Sequence, residues 1–82
     1  MHGSEMQRSM ELRPTPRELE VLELICEGRS TKQIAHTLGI SFKTVACHRD
    51  RLMRKAGVHD AISLFRWALL NGLVSLNGPE VQ

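Results

Sequence analysis

The stretch from Ser30 to Ala56, STKQIAHTLGISFKTVACHRDRLMRKA, limits what the rest of the chain can fold into more than any other. Apolar residues recur at helical spacing through Ile34, Ala35 and Leu38, pause at Gly39, and resume through Val45, Leu52 and Ala56. One buried seam with one bend explains that pattern. Counting from Thr31, an alanine falls at the fifth position, a glycine at the ninth and a branched apolar residue at the fifteenth. Ala35 lets two crossing helices approach, Gly39 can take the left-handed backbone a tight bend needs, and Val45 fills the space between the helices. The stretch is expected to form a helix-turn-helix.

The flanks supply two further helices. Thr15-Pro16-Arg17-Glu18 sets a threonine cap, a proline at the first helical position and a glutamate three residues after the cap. Leu19, Leu22, Ile25 and Cys26 then line one side, Glu20, Glu23 and Glu27 the other, and Gly28 closes the helix. Ser30 and Gln33 repeat the capping device, and Ser41 caps a third helix running to about Lys55. Asp60 can cap a fourth, Ala61 to Asn71, ended by Gly72. Its inner stripe reads Ala61, Leu64, Phe65 and Ala68. Ile62, Trp67, Leu69 and Leu70 spread apolar character beyond that stripe, which suggests a partner surface. Leu73 and Val74 are expected to fold back onto the core.

A chain of 82 residues can bury one small core. The expected organisation is a compact all-α four-helix domain over residues 13–75, between a flexible tag or linker at 1–12 and a loose tail at 76–82. No apolar run approaches the roughly 20 residues of a membrane span, and the start lacks the order of a secretory signal, so no membrane partner and a cytoplasmic location are expected. Cys26 and Cys47 lack pairing spacing, so neither a disulfide nor a zinc framework is expected, and a reducing compartment fits. His48 beside Cys47 is a poor metal pair, because adjacent residues on a helix diverge by about 100°. No metal or cofactor is expected, and no nucleophile, base and orienting acid converge as an enzyme would need.

The net charge of +2 becomes informative once divided by region. From Ser41 to Gly57, Lys43, Arg49, Arg51, Arg54 and Lys55 face one anion, Asp50, whereas Thr15 to Gly28 sets Arg17 against Glu18, Glu20, Glu23 and Glu27. A cationic helix beside an acidic one would steer a polyanion to one face. With Val45 at zero and about 100° per residue, Arg49, Leu52 and Ala56 fall within about 40° of it. Lys43, Cys47, Asp50 and Arg54 fall within about 40° of the opposite pole, which is the expected reading face.

The run TPRELEVLELICEGRSTKQIAHTLGISFKTVACHRDRLMRKAGV, followed by a helix ending ALLNGLV, resembles the DNA-binding domain of the LuxR/NarL/GerE superfamily. The likeness covers about residues 12 to 75. It implies a four-helix domain with the third helix in the major groove of double-stranded DNA and the fourth commonly used for homodimerisation. It also implies transcription regulation as the output module of a response regulator of a two-component system or of an autoinducer receptor, with an upstream receiver or ligand-binding domain and RNA polymerase as partners. Position by position, the family's base-reading places match Lys43, Ala46, Cys47 and Asp50, with Arg51 nearby. Its phosphate contacts match Thr31, Lys32, Thr44, His48, Arg54 and Lys55, and its dimer helix carries Ile62, Trp67, Leu69 and Leu70.

The chain departs from the family pattern at Ala46, where a lysine is common, and at Asp50. Ala46 can offer only a methyl to thymine, while Asp50 can accept from a cytosine amino group or orient Arg51 or Arg54, the second being favoured. Arg49, on the core side, is expected to pair with Glu18. Cys26 reads as inert. Cys47, outward among cations, reads first as a core-edge or thymine contact, with a lowered pKa and oxidation that weakens DNA binding as the alternative. Trp67 and its neighbours read either as core or as dimer surface. A sequence-specific DNA-binding regulator and a helical protein-interaction module that has lost operator reading both fit, and the first accounts for more residues.

Overall fold

Four side-chain oxygens decide where the helices begin. The computed structural model describes residues 13–75, arranged as α1 (Pro16–Cys26), α2 (Thr31–Leu38), α3 (Phe42–Ala56) and α4 (Ala61–Leu70). Thr15 Oγ1 accepts from the Glu18 amide at 3.1 Å while Glu18 Oε1 accepts from the Thr15 amide at 3.0 Å, closing the capping box ahead of α1. Ser30 and Gln33 do the same for α2, at 3.1 and 2.9 Å. Ser41 Oγ accepts from the Thr44 amide at 3.0 Å, and Asp60 Oδ1 from the Ser63 amide at 2.7 Å. Each bond satisfies one of the amides that a helix start leaves without an intrahelical acceptor.

Glycines end the two helices of the central motif. Gly39 and Gly57 sit at φ +68° and +71°, backbone that a side chain rarely adopts. The Ile40 amide then reaches back to the Ala35 carbonyl at 3.1 Å and the Val58 amide to the Met53 carbonyl at 3.0 Å, so each final turn is closed.

Helix α3 is the spine, packing most extensively on α1 and α2, while α4 rests on α1 and α3. Val21, Leu22, Ile34, Val45, Leu52, Leu64 and Ala68 are fully buried, with Ala35 at the close helix approach. Leu73 and Val74 fold back against this core as expected, and the Leu73 amide donates to the Ala68 carbonyl at 2.9 Å. All described elements are helical, so the all-α expectation holds. The expected linker at 1–12 and tail at 76–82 lie outside the described residues.

Two expectations about packing are corrected. The deep stripe of α1 runs through Glu18, Val21 and Leu22, and Leu19, Ile25 and Cys26 only flank it. Ala61, read as inward, is exposed, because the first turn of α4 overhangs solvent before the helix reaches the core at Leu64. Trp67, weighed as core or dimer surface, is half-buried and packs against the core. At about 100° per residue it lies some 140° around the helix from Ile62, which is 83% exposed.

Candidate nucleic-acid interface

The buried side of α3 is set by Val45 and Leu52, two turns apart, and this aims the rest of the helix at solvent. Lys43, Cys47, Asp50, Arg51 and Arg54 are exposed, and Ala46 is half-buried at the edge of the same face. The five residues assigned to base reading therefore share one side of α3. Thr44 is exposed, and its Oγ1 lies 2.8 Å from Ser41 Oγ at the helix start. At the beginning of α2, Thr31 is half-buried and Lys32 exposed. The capping box uses the amides of Ser30 and Gln33 and leaves those of Thr31 and Lys32 without a partner among the described residues. Helix starts of this kind favour oxyanions.

The expected pair between Arg49 and Glu18 does not form. Glu18 is buried, and Lys55 reaches it instead, with Nζ 2.6 Å from Oε1 and a second bond of 3.0 Å from Nζ to the Arg13 carbonyl. The partner changes because Glu18, in the first turn of α1, lies beside the C-terminal end of α3, a turn and a half beyond Arg49. Burial alone would raise the Glu18 carboxyl. The hydrogen bond from Lys55, the bond from the Thr15 amide and the nearby positive charge outweigh it and hold the group below its ordinary value. Lys55, assigned to a phosphate, thus spends two of its three donors inside the domain.

His48, also assigned to a phosphate, is half-buried, with Nδ1 sealed from solvent and without a hydrogen-bond partner among the described residues. Any phosphate contact from it has to run through Nε2. Asp50 forms no ion pair with Arg51 or Arg54, so the orienting role favoured for it is not seen. With Arg54, Met53 and His59 it lines a shallow hollow of about 370 Å³. Cys47 is an exposed free thiol, whereas Cys26 is half-buried, its pKa raised by burial and then by Glu23.

Sequence reasoning passed over Phe42, which is 59% exposed at the first position of α3 beside Lys43. Its place directly after the Ser41 cap was the available signal, since a first-turn side chain there has no preceding turn to pack on. On α4, Ile62 and Leu70 are 83% and 80% exposed, Leu69 is half-buried, and together they leave an apolar strip uncovered. No helix among the described residues is long and apolar enough to cross a membrane.

Residues 15–68 match the GerE family, described as bacterial regulatory proteins of the luxR family. The chain is 48% identical over 64 residues to the transcriptional regulatory protein MctR of Rhizobium johnstonii, covering 78% of this chain and 30% of that protein. It is 44% identical over 62 residues to the uncharacterized response regulatory protein YgeK of Escherichia coli, covering 76% of this chain and 42% of that one. The oxygen regulatory protein NreC of Staphylococcus aureus is 41% identical over 58 residues, 71% of this chain and 27% of its own length. The chain thus spans less than half the length of each of these relatives.

Proposed function

Because the chain belongs to the luxR family of bacterial DNA-binding transcriptional regulators, we propose that it reads a specific operator by laying the outer face of α3 along a major groove. The observation that carries this reading is the division of α3 into two poles. One is anchored in the core by Val45 and Leu52, and the other exposes Lys43, Arg51 and Arg54 together with Cys47 and Asp50. Lys43 and Arg51 can each reach the acceptors of a guanine edge, Asp50 can accept from a cytosine amino group, and Ala46 and Cys47 offer small contacts to a thymine methyl. Thr31, Lys32, Thr44, Arg54 and the free nitrogen of His48 hold the phosphates on either side. Lys55 acts as the counter-ion of Glu18.

Two copies pair through the exposed strip of α4, Ile62, Leu69 and Leu70, and set two reading helices over an inverted repeat about one helical turn apart. Input from a receiver or ligand-binding domain, contact with RNA polymerase and a cytoplasmic setting belong to the same reading, and the greater length of relatives such as YgeK supports it.

Selecting bound duplexes from a random pool tests the whole reading. The expected result is a two-fold symmetric consensus whose affinity falls with salt at a log-log slope near −5, for about six phosphates. Lys43→Ala and Arg51→Ala should each relax preference at one position and cost about 1 to 3 kcal/mol there. A chain that ignores duplex DNA in dilute buffer would instead be a protein-interaction module.

A further inference from the structure

Arg49 loses its expected carboxylate to Lys55 and turns elsewhere. It lines a cavity of about 380 Å³ with Arg29, Ser30 and Thr31, bounded on its apolar side by Ile25 and Ala61. The cavity brings together the end of α1, the start of α2, the middle of α3 and the first residue of α4. Two arginines therefore line one opening, and no carboxylate among the described residues lines it with them. Among the described residues, the one acid paired with either arginine is Glu27, 3.6 Å from Arg29 Nε and itself exposed. Arg49 is half-buried and makes no ion pair or hydrogen bond with any described residue. Like charges converging on one cavity without a fixed anion favour an anionic occupant. The planar fork of arginine suits an oxygen-rich one.

We infer that this cavity seats a backbone phosphate of the bound duplex, with Arg49 as its inner cation, Arg29 at its rim and the Thr31 hydroxyl at its mouth. The inference rests on the DNA-binding reading above and extends its footprint from the exposed pole of α3 to a half-buried residue on the core side of that helix. A DNA phosphate is favoured over a free one because Thr31, a proposed phosphate position of α2, itself lines the cavity, so a strand held there would pass its opening. Arg49 also belongs to the reading helix itself. Neutralising a phosphate through it would fix the depth of α3 in the groove while carrying no base information.

The test measures affinity of the full chain for its selected duplex and for an unrelated one, between about 50 and 200 mM salt. Arg49→Gln should reduce the steepness of the salt dependence by about 0.9, so that affinity falls three- to fourfold less across that range, equally on both duplexes. Arg49→Lys should keep most of the slope, and Arg29→Gln, at an exposed rim position that cannot threaten the fold, should lower it in part. Titration with inorganic phosphate provides the arm that separates a free anion from a strand. Slopes unchanged in both Arg49→Gln and Arg29→Gln, while the parent chain binds steeply, overturn the phosphate seat and leave the DNA reading standing. Arg49-dependent binding of millimolar inorganic phosphate with an unchanged DNA slope also overturns it. If Arg49→Gln does not fold, Arg29→Gln and Arg49→Lys decide. Failure of the parent chain to bind any duplex sinks both readings together.

Discussion

Glu18 serves two groups at once from a buried position, which makes it the residue whose replacement is most informative. It accepts from the Thr15 amide, receives Lys55 at 2.6 Å, and is buried among apolar side chains. Lys55→Met should cost about 2 to 4 kcal/mol in urea unfolding, since it strands a buried carboxylate. Replacing both residues by Met should cost markedly less, because no lone charge remains. The folded-state pKa of Glu18 lies below its ordinary value of 4.5. Its contribution is therefore complete above that value and is lost as pH falls through the lower folded value. Glu18→Gln keeps the cap oxygen but removes the charge. Its stability deficit against the parent should be largest near neutral pH and should close under acid conditions, as a pH series of urea midpoints would show. The two thiols should also part company: a maleimide should label exposed Cys47 well before Cys26, whose pKa burial raises, and labelling Cys47 should weaken DNA binding. Equal labelling rates would contradict their placement.

Among the elements, α3 is the proposed reading helix, and the devices at its two ends fix where its outer face begins and stops. Ser41→Ala removes the oxygen that accepts from the Thr44 amide and should cost about 1 kcal/mol of thermal or urea stability. Gly39→Ala forces a side chain into φ +68° and should cost about 1 kcal/mol, although a Cβ there meets no neighbour within contact distance. The penalty comes from backbone strain alone, so Gly39→Asn should recover part of it. Leu52→Ala opens the centre of the spine and should cost about 2 to 5 kcal/mol. A smaller loss would mean that α3 is held from elsewhere. Helix α4 divides along most of the expected pattern. Leu64 and Ala68 go inward with Trp67 beside them, and Ile62 and Leu70 stay out.

For the whole molecule, the exposed strip on α4 is where the proposed pairing is tested. Ile62→Asp with Leu70→Asp should leave the thermal midpoint of the monomer nearly unchanged, since both side chains are exposed. The same change should abolish cooperative binding to a two-half-site duplex while sparing weak binding to one half-site, as mobility shifts would report. The four helix starts, both glycine turns and most of the core could be read from the chain, because caps, left-handed glycines and apolar period are local signals that act over a few residues. The outward pole of α3 was legible for the same reason, since one helix's geometry places Lys43, Cys47, Asp50 and Arg54 opposite Val45. What required the fold was every statement about two distant residues. Glu18 and Lys55 are 37 positions apart, and local pattern could name the acid without saying which cation of α3 would meet it. The inward turn of Trp67 and the cavity at Arg49 have the same origin, because a helix's own periodicity determines its faces while only its neighbours determine what each face touches.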